Sequence, residues 1–342
     1  MLQVLLPTLP YPYWFATPAN KWKTEIWPLL PQWLMMGDQR AMYDFYSGGS
    51  TLYVRANYLP WLRPLAWWSS FMFVMVWVDL CLNSMLRRRW METERLGYPI
   101  IYLPMLMTDE RRNLFRNRQM WWGFAFAATV DLVNGLNVFY PKIPIIPARF
   151  AHFNVDQYLA FPPLNRLMGM RAALYPFAIG LGFLLPTDLL FACWFFYFFW
   201  RVEIVASDYV GWREIPRFPF IEEQSLGAYL GLAVFAIWVS RGYLREVWKA
   251  IWRREGAASG RGEAMPYRVA FVGCVAGMVY MGWFYHRIGM ALWVVPIYFG
   301  IHFLIVTAVT RVRAELGPPA HDLHHIGPEI TLGRVMGPTI LS

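Results

Sequence analysis

Apolar residues in this chain gather in long runs separated by short polar breaks. Several of the runs reach the roughly 20 residues that a helix needs to cross a hydrocarbon core. The first lies at 65–86, opened by Trp67 and Trp68 and closed by Arg87, Arg88 and Arg89, which reads as an aromatic belt with a basic anchor. Further runs fall at 120–140, 172–200, 225–244, 267–285 and 290–310. The pattern predicts an all-α fold, a polytopic transmembrane helix bundle. Residues 1–64 are rich in Trp and Pro, carry turn signals at "MMGDQ" and "YSGGST", and are expected to form an external segment without a span of its own. Residues 311–342 are polar, broken by Gly and Pro, and expected to be a cytoplasmic tail. "YPKIPIIP" is too rich in proline to continue a helix and should be extended.

The run at 172–200 is the anomaly. It contains "GFLLPTDLLFACW", which places a helix breaker, Pro186, and a carboxylate, Asp188, in the middle of the most apolar segment. As one helix it would be about 43 Å long, against a hydrocarbon core of roughly 30 Å. Split at Pro186, each arm is about 21 Å, enough to reach the middle of the membrane and return. Charge gives the same answer. Arg87, Arg88, Arg89, Arg95, Arg111, Arg112, Arg116 and Arg118 fill one loop, and Arg241, Arg245, Lys249, Arg253, Arg254, Arg261 and Arg268 fill another. Both loops are cytoplasmic by the positive-inside rule only if 172–200 enters and leaves on the external side. A re-entrant or broken-helix hairpin is therefore expected there.

Composition fits a bilayer. The chain is 57% hydrophobic and 15% charged, where a soluble domain carries about 25% charged residues. The net charge of +9 resides in loops between apolar runs, so it reports orientation and gives no reason to expect a nucleic-acid partner. Cys81, Cys193 and Cys274 all lie in apolar runs and are expected to behave as small buried hydrophobes. The amino terminus has no basic region before its apolar residues and is cut by Pro7, Pro10 and Pro12, unlike a signal peptide. "EGAASGRGEA" reads as a flexible loop.

Chemistry in such a chain is sought among polar residues at membrane depth, because an ionisable group there is costly and by default functional. Asp131, Asn134 and Asn137 recur every third residue in "VDLVNGLNVFY" and share one face of a helix. Thr187 and Asp188 would occupy the first turn after the Pro186 break, at the positive end of a helix dipole. These five are the candidate substrate or proton pathway. The plainer readings are interhelical hydrogen bonding for the first group and helix capping by Asp188 for the second. Asp79 and Asn83 are expected to pair with Arg87 or meet interfacial water, and His302 to be a structural histidine. In the tail, "HDLHH" matches one histidine box of di-iron desaturases, yet those sites need about eight histidines and the chain has 6. That class is excluded. A single metal site from His321, Asp322 and His325 is the alternative to a solvated loop. No metal and no cofactor is expected, and there is no nucleophile elbow, P-loop or dinucleotide fingerprint.

Several phrases together, "ATPANKWKTEIWPLLPQWL", "RRRWMETERLGYPIIYLPMLM", "NGLNVFYPKIP", "FPFIEEQSLGAYL" and "RVRAELGPP", resemble an uncharacterised family of bacterial multi-pass membrane proteins that is distantly similar to the oligopeptide transporters. "ERLGYP", Glu94 to Pro99, carries the transporter likeness, with Ile100 and Ile101 where small residues are the rule. The resemblance implies longer relatives, so the chain is expected to be a fragment or a truncated member, with missing family segments or a homo-oligomer as partners besides the lipid bilayer. It implies no functional residue. The expected function is a secondary transporter, or part of one, for a small organic solute such as a peptide in the bacterial inner membrane. The alternatives are a membrane-embedded enzyme using the same acids and a non-catalytic scaffold subunit.

Overall fold

Proline, glycine and charge cut the apolar runs into helices, and no strand forms among the described residues. The computed structural model describes residues 2–51, 53–109, 114–148, 156–161, 164–167, 170, 175–212, 215, 217–252, 265–317 and 327–336. Four short helices come first: α1 (Leu2–Thr8), α2 (Tyr11–Trp14), α3 (Trp22–Glu25) and α4 (Gln39–Ser47). The long α5 (Arg55–Arg88) follows, then α6 (Tyr102–Thr108), α7 (Arg118–Phe139), α8 (Pro176–Phe183), α9 (Thr187–Val210), α10 (Ile221–Val239) and α11 (Arg241–Trp252). The chain ends with α12 (Tyr267–Ile288), α13 (Val294–Leu316) and α14 (Pro328–Met336). Four of these are long and apolar enough to cross a membrane among the described residues: α5 continued by a π-turn to Thr93, α9, α12 and α13. The pair α10 and α11, bent by 66°, adds a fifth if it is counted as one span.

The chain divides into two compact units. The first holds residues 1–94, 237–302 and 328–342. Its amino-terminal helices are knotted by aromatic side chains rather than by length. Trp14 stacks on Tyr46 at 5.0 Å, Tyr46 donates its hydroxyl to the Pro7 carbonyl at 2.7 Å, and Trp27 donates to the Pro12 carbonyl at 3.0 Å. Leu9, Met36, Met42 and Trp61 form the apolar centre of this knot. Asp38 accepts from the Ala41 amide at 2.8 Å and so caps α4, a bond worth about 1 kcal/mol. Burial pushes the Tyr13 and Tyr46 phenols up from their ordinary range, so both remain protonated donors at neutral pH.

Helices α5 and α12 form the closest pair of the unit, and two glycines explain how. Gly273 and Gly277 lie four residues apart on α12, so both face the same side. A β-carbon at Gly273 would fall 2.7 Å from Trp77 Nε1 and 3.1 Å from Cys81 Sγ. At Gly277 it would overlap Val78 Cγ2. Small residues that let two backbones approach are how helices associate in lipid, where burial from water contributes nothing. Ser70 and Tyr280 add a hydroxyl pair at 2.6 Å across the same seam. At the opposite end of α12, Tyr267 meets Tyr243 of α11 at 3.0 Å and packs with the buried Val247 and Ile251.

The second unit holds residues 95–236 and 303–327. Asn117 caps α7 by accepting from the Gln119 amide at 2.8 Å. The break expected in 172–200 is present: α8 ends at Phe183, and α9 begins at Thr187 after Pro186. The arms are unequal, 8 and 24 residues. The second passes Trp200, because Arg201 and Glu203 do not stop a helix, and ends at Gly211, whose φ of 80° only glycine adopts freely. None of the most apolar stretch of α9 is buried, and Cys193 is exposed on it, unlike the buried Cys81 and Cys274.

Other boundaries also differ from those expected. Helix α5 starts ten residues before 65 because Pro60 and Pro64 fall in its first three turns, where few backbone bonds are lost. The run at 225–244 is not one rod; it bends at Ser240 and continues as the amphipathic α11. Helix α7 nearly coincides with 120–140, yet its polar stripe keeps it out of the four helices long and apolar enough to cross a membrane. Helix α13 extends to Leu316, so Arg311 and Arg313 belong to its last turns.

Candidate functional site

The sequence-predicted residues lie in the second unit and split into two groups. Asn134 and Asn137 point at the proline-rich segment that follows α7. The Asn134 amide donates to the Ile146 carbonyl at 3.0 Å and accepts from the Ile146 amide at 2.9 Å. Asn137 donates to the Ile143 carbonyl at 2.6 Å. Proline-broken backbone cannot bond to itself, and these two side chains supply what it lacks. The expected polar stripe is therefore occupied by a loop clasp. Asn134→Leu removes both bonds to Ile146 and is expected to cost roughly 1 kcal/mol; hydrogen exchange should speed up at the Ile146 amide and stay unchanged at the Ala270 amide.

Asp131 is exposed on α7 and makes no hydrogen bond or ion pair among the described residues. Thr187 and Asp188 are exposed in the first turn of α9. No side chain caps that helix, its N-cap being Pro186, so Asp188 acts on α9 only through the helix dipole. His321, Asp322 and His325 lie outside the described residues; among those described, no group of three metal-ligating side chains assembles. On α5, the buried Oδ1 of Asp79 meets no hydrogen-bond partner among the described residues, Arg87 included.

In a third group the sequence singled out only His302, as a structural histidine. Helices α12 and α13 are joined by a tight turn, with the Gly289 amide bonded to His286 and the Met290 amide to Tyr285, both at 3.1 Å. This sets the Tyr285 and Tyr298 rings 5.3 Å apart and Phe299 edge-on to Tyr285 at 5.1 Å. The Tyr298 hydroxyl lies within electrostatic reach of both Tyr285 and Glu329. Glu329 is an exposed acid in the first turn of α14. His302 lies one turn beyond Tyr298 on α13, with its Nε2 buried and its ring 6.4 Å from Phe299, within electrostatic reach of Glu329. An exposed acid, two neighbouring phenols and a histidine thus gather beside the turn that joins a pair of spans. The signal in the sequence was Tyr298 and His302 at i and i+4 in an apolar run. Glu329, 31 residues from Tyr298, carried none.

Four or five long apolar helices make this a multi-pass integral membrane protein. Residues 1–342 match a family of unknown function (DUF6785), and the chain belongs to that family. No curated protein and no solved structure matches it.

Proposed function

We propose that this member of the family is a secondary transporter, or part of one, that moves a small organic solute such as a peptide across the bacterial cytoplasmic membrane with proton coupling. The observation that carries the reading is the gathering of Glu329, Tyr298 and Tyr285, a candidate file for protons, with His302 within electrostatic reach. Chains of acid, phenol and imidazole in a membrane domain are the usual means of moving protons. The solute class rests on the resemblance of "ERLGYP" to a pattern of the oligopeptide transporters. On this reading Asp131, Thr187 and Asp188, open on the outer faces of α7 and α9, line a solute path completed by further helices, and Asn134 and Asn137 hold the loop at its rim.

The test uses the purified chain in proteoliposomes with a pH-sensitive dye inside. An inward gradient of a mixed di- and tripeptide pool is expected to carry protons with it. Glu329→Gln keeps the shape of the side chain while removing the titratable proton, so it should abolish solute-driven proton entry without lowering the melting temperature. Solute-driven proton entry of wild-type size in Glu329→Gln would sink the proton file, and none at all in the wild-type chain would sink the transporter.

A further inference from the structure

The bend at Ser240 creates a surface that the transport reading does not use. Helix α10 is apolar, whereas α11 places Arg241, Arg245 and Lys249 at successive fourth positions, all exposed, and turns Val247 and Ile251 inward. A short basic amphipathic helix set 66° from an apolar one has the build of a segment lying in the membrane interface. Glu246 is its one acid.

Two adjoining hollows flank this helix. One, of about 410 Å³, is lined by Arg241, Arg245, Trp248 and Lys249. The other, of about 510 Å³, is lined by Trp77, Trp252, Phe271, Val272 and Gly273, with Arg268 at its edge. Trp248 joins them, 5.8 Å from Trp252 and 5.5 Å from Phe271. The Nε of Arg268 donates to the Ile251 carbonyl at 2.8 Å, which fixes the guanidinium and leaves its two terminal nitrogens for a ligand. Glu246 lines neither hollow.

We infer that this trough binds an anionic phospholipid, with the phosphate between Arg245, Lys249 and Arg268 and an acyl chain in the cavity beside Trp252. The two-part lining selects that occupant. The larger hollow is a nearly unbroken apolar surface, which suits a hydrocarbon tail and leaves a peptide backbone without partners. Cations arrayed along an interfacial helix attract anionic headgroups.

The experiment uses the full chain in a neutral detergent, with the melting temperature followed during titration with dioleoyl phosphatidylglycerol, dioleoyl phosphatidylcholine, glycerol 3-phosphate or polyglutamate. Phosphatidylglycerol alone is expected to raise the melting temperature. Arg245→Gln with Lys249→Gln, two exposed side chains outside the proton file, should leave the lipid-free melting temperature unchanged and weaken the phosphatidylglycerol effect roughly tenfold or more. Trp252→Ala should weaken the same effect by removing the wall of the tail cavity. An equal rise with phosphatidylcholine would overturn the headgroup assignment. An equal rise with glycerol 3-phosphate would make the site one for free phosphate, and a rise with polyglutamate would make it a protein surface; either result overturns the inference. So would a double variant that responds like the wild type.

Discussion

Gly277→Val is expected to prevent stable folding. A β-carbon at Gly277 already overlaps Val78 Cγ2 and comes within 3.3 Å of Val74 Cγ1, and valine adds two methyl groups to that clash. Val78 is fully buried, so it has no open space to rotate into, and α5 and α12 must move apart. Overpacking of a closed contact costs about 1–3 kcal/mol, and more when a backbone has to shift. The separation would also break the Ser70–Tyr280 pair and pull Trp77 off Gly273. Monodisperse yield and melting temperature in detergent are the measurements. Gly277→Ala should produce a milder form of the defect, and combining it with Val78→Ala should restore most of the loss, because the second change removes the atom that the first one strikes. If the double variant is no better than Gly277→Ala alone, the seam is not where the damage lies.

Phe284→Ala should have a comparable effect by the opposite route, leaving a void where Gly277→Val makes a clash. Phe284 is fully buried. It stacks on Phe71 at 4.9 Å, takes the edge of Trp33 at 5.3 Å and lies 5.9 Å from Trp68. Trp33 belongs to the amino-terminal segment and Phe71 to α5, so one ring joins that segment and α5 to α12. Truncating a buried Phe costs about 3–5 kcal/mol when neighbours cannot close the cavity, and large, mutually stacked rings are poorly able to do so. Val279→Ala, on the same helix but 67% exposed, should change stability by less than about 0.5 kcal/mol. Equal melting temperatures for the two variants would show that the aromatic box is not a structural joint.

The helical bundle could be read from apolar run length alone, because a bilayer imposes that length on every span. The break at Pro186 was readable too, since a proline interior to a helix removes a bond whatever its surroundings. What escaped was set by neighbours. Arg201 marks an end by hydropathy, yet its guanidinium lies over the Trp200 ring at 4.0 Å and α9 continues beneath it. A hydropathy window over 225–244 averages across the bend at Ser240. Asn134 and Asn137 looked like a path because their spacing gives their face but not what covers it, and the cover is the chain's own next loop. Gly273 and Gly277 stood in plain view at a four-residue spacing, though only the position of α5 gives them meaning. The approach of Glu329 to Tyr298 depends on where the tail returns to α13, which no local pattern encodes.

Helix α9 carries Asp188 near one end and Arg201 thirteen residues later, about 20 Å of helical rise. A hydrocarbon core is roughly 30 Å thick, so this stretch is hydrophobically mismatched by about a third. With Arg201 drawn to the headgroups beside Trp200 and Tyr197, Asp188 sits well inside the acyl region unless the bilayer thins to meet it. The most apolar part of α9 is not buried against anything, so membrane thickness bears on this helix directly. Thin bilayers would bring Asp188 towards water and thick ones would draw it deeper, which makes acyl-chain length a variable that acts on the surroundings of this carboxylate without touching a residue.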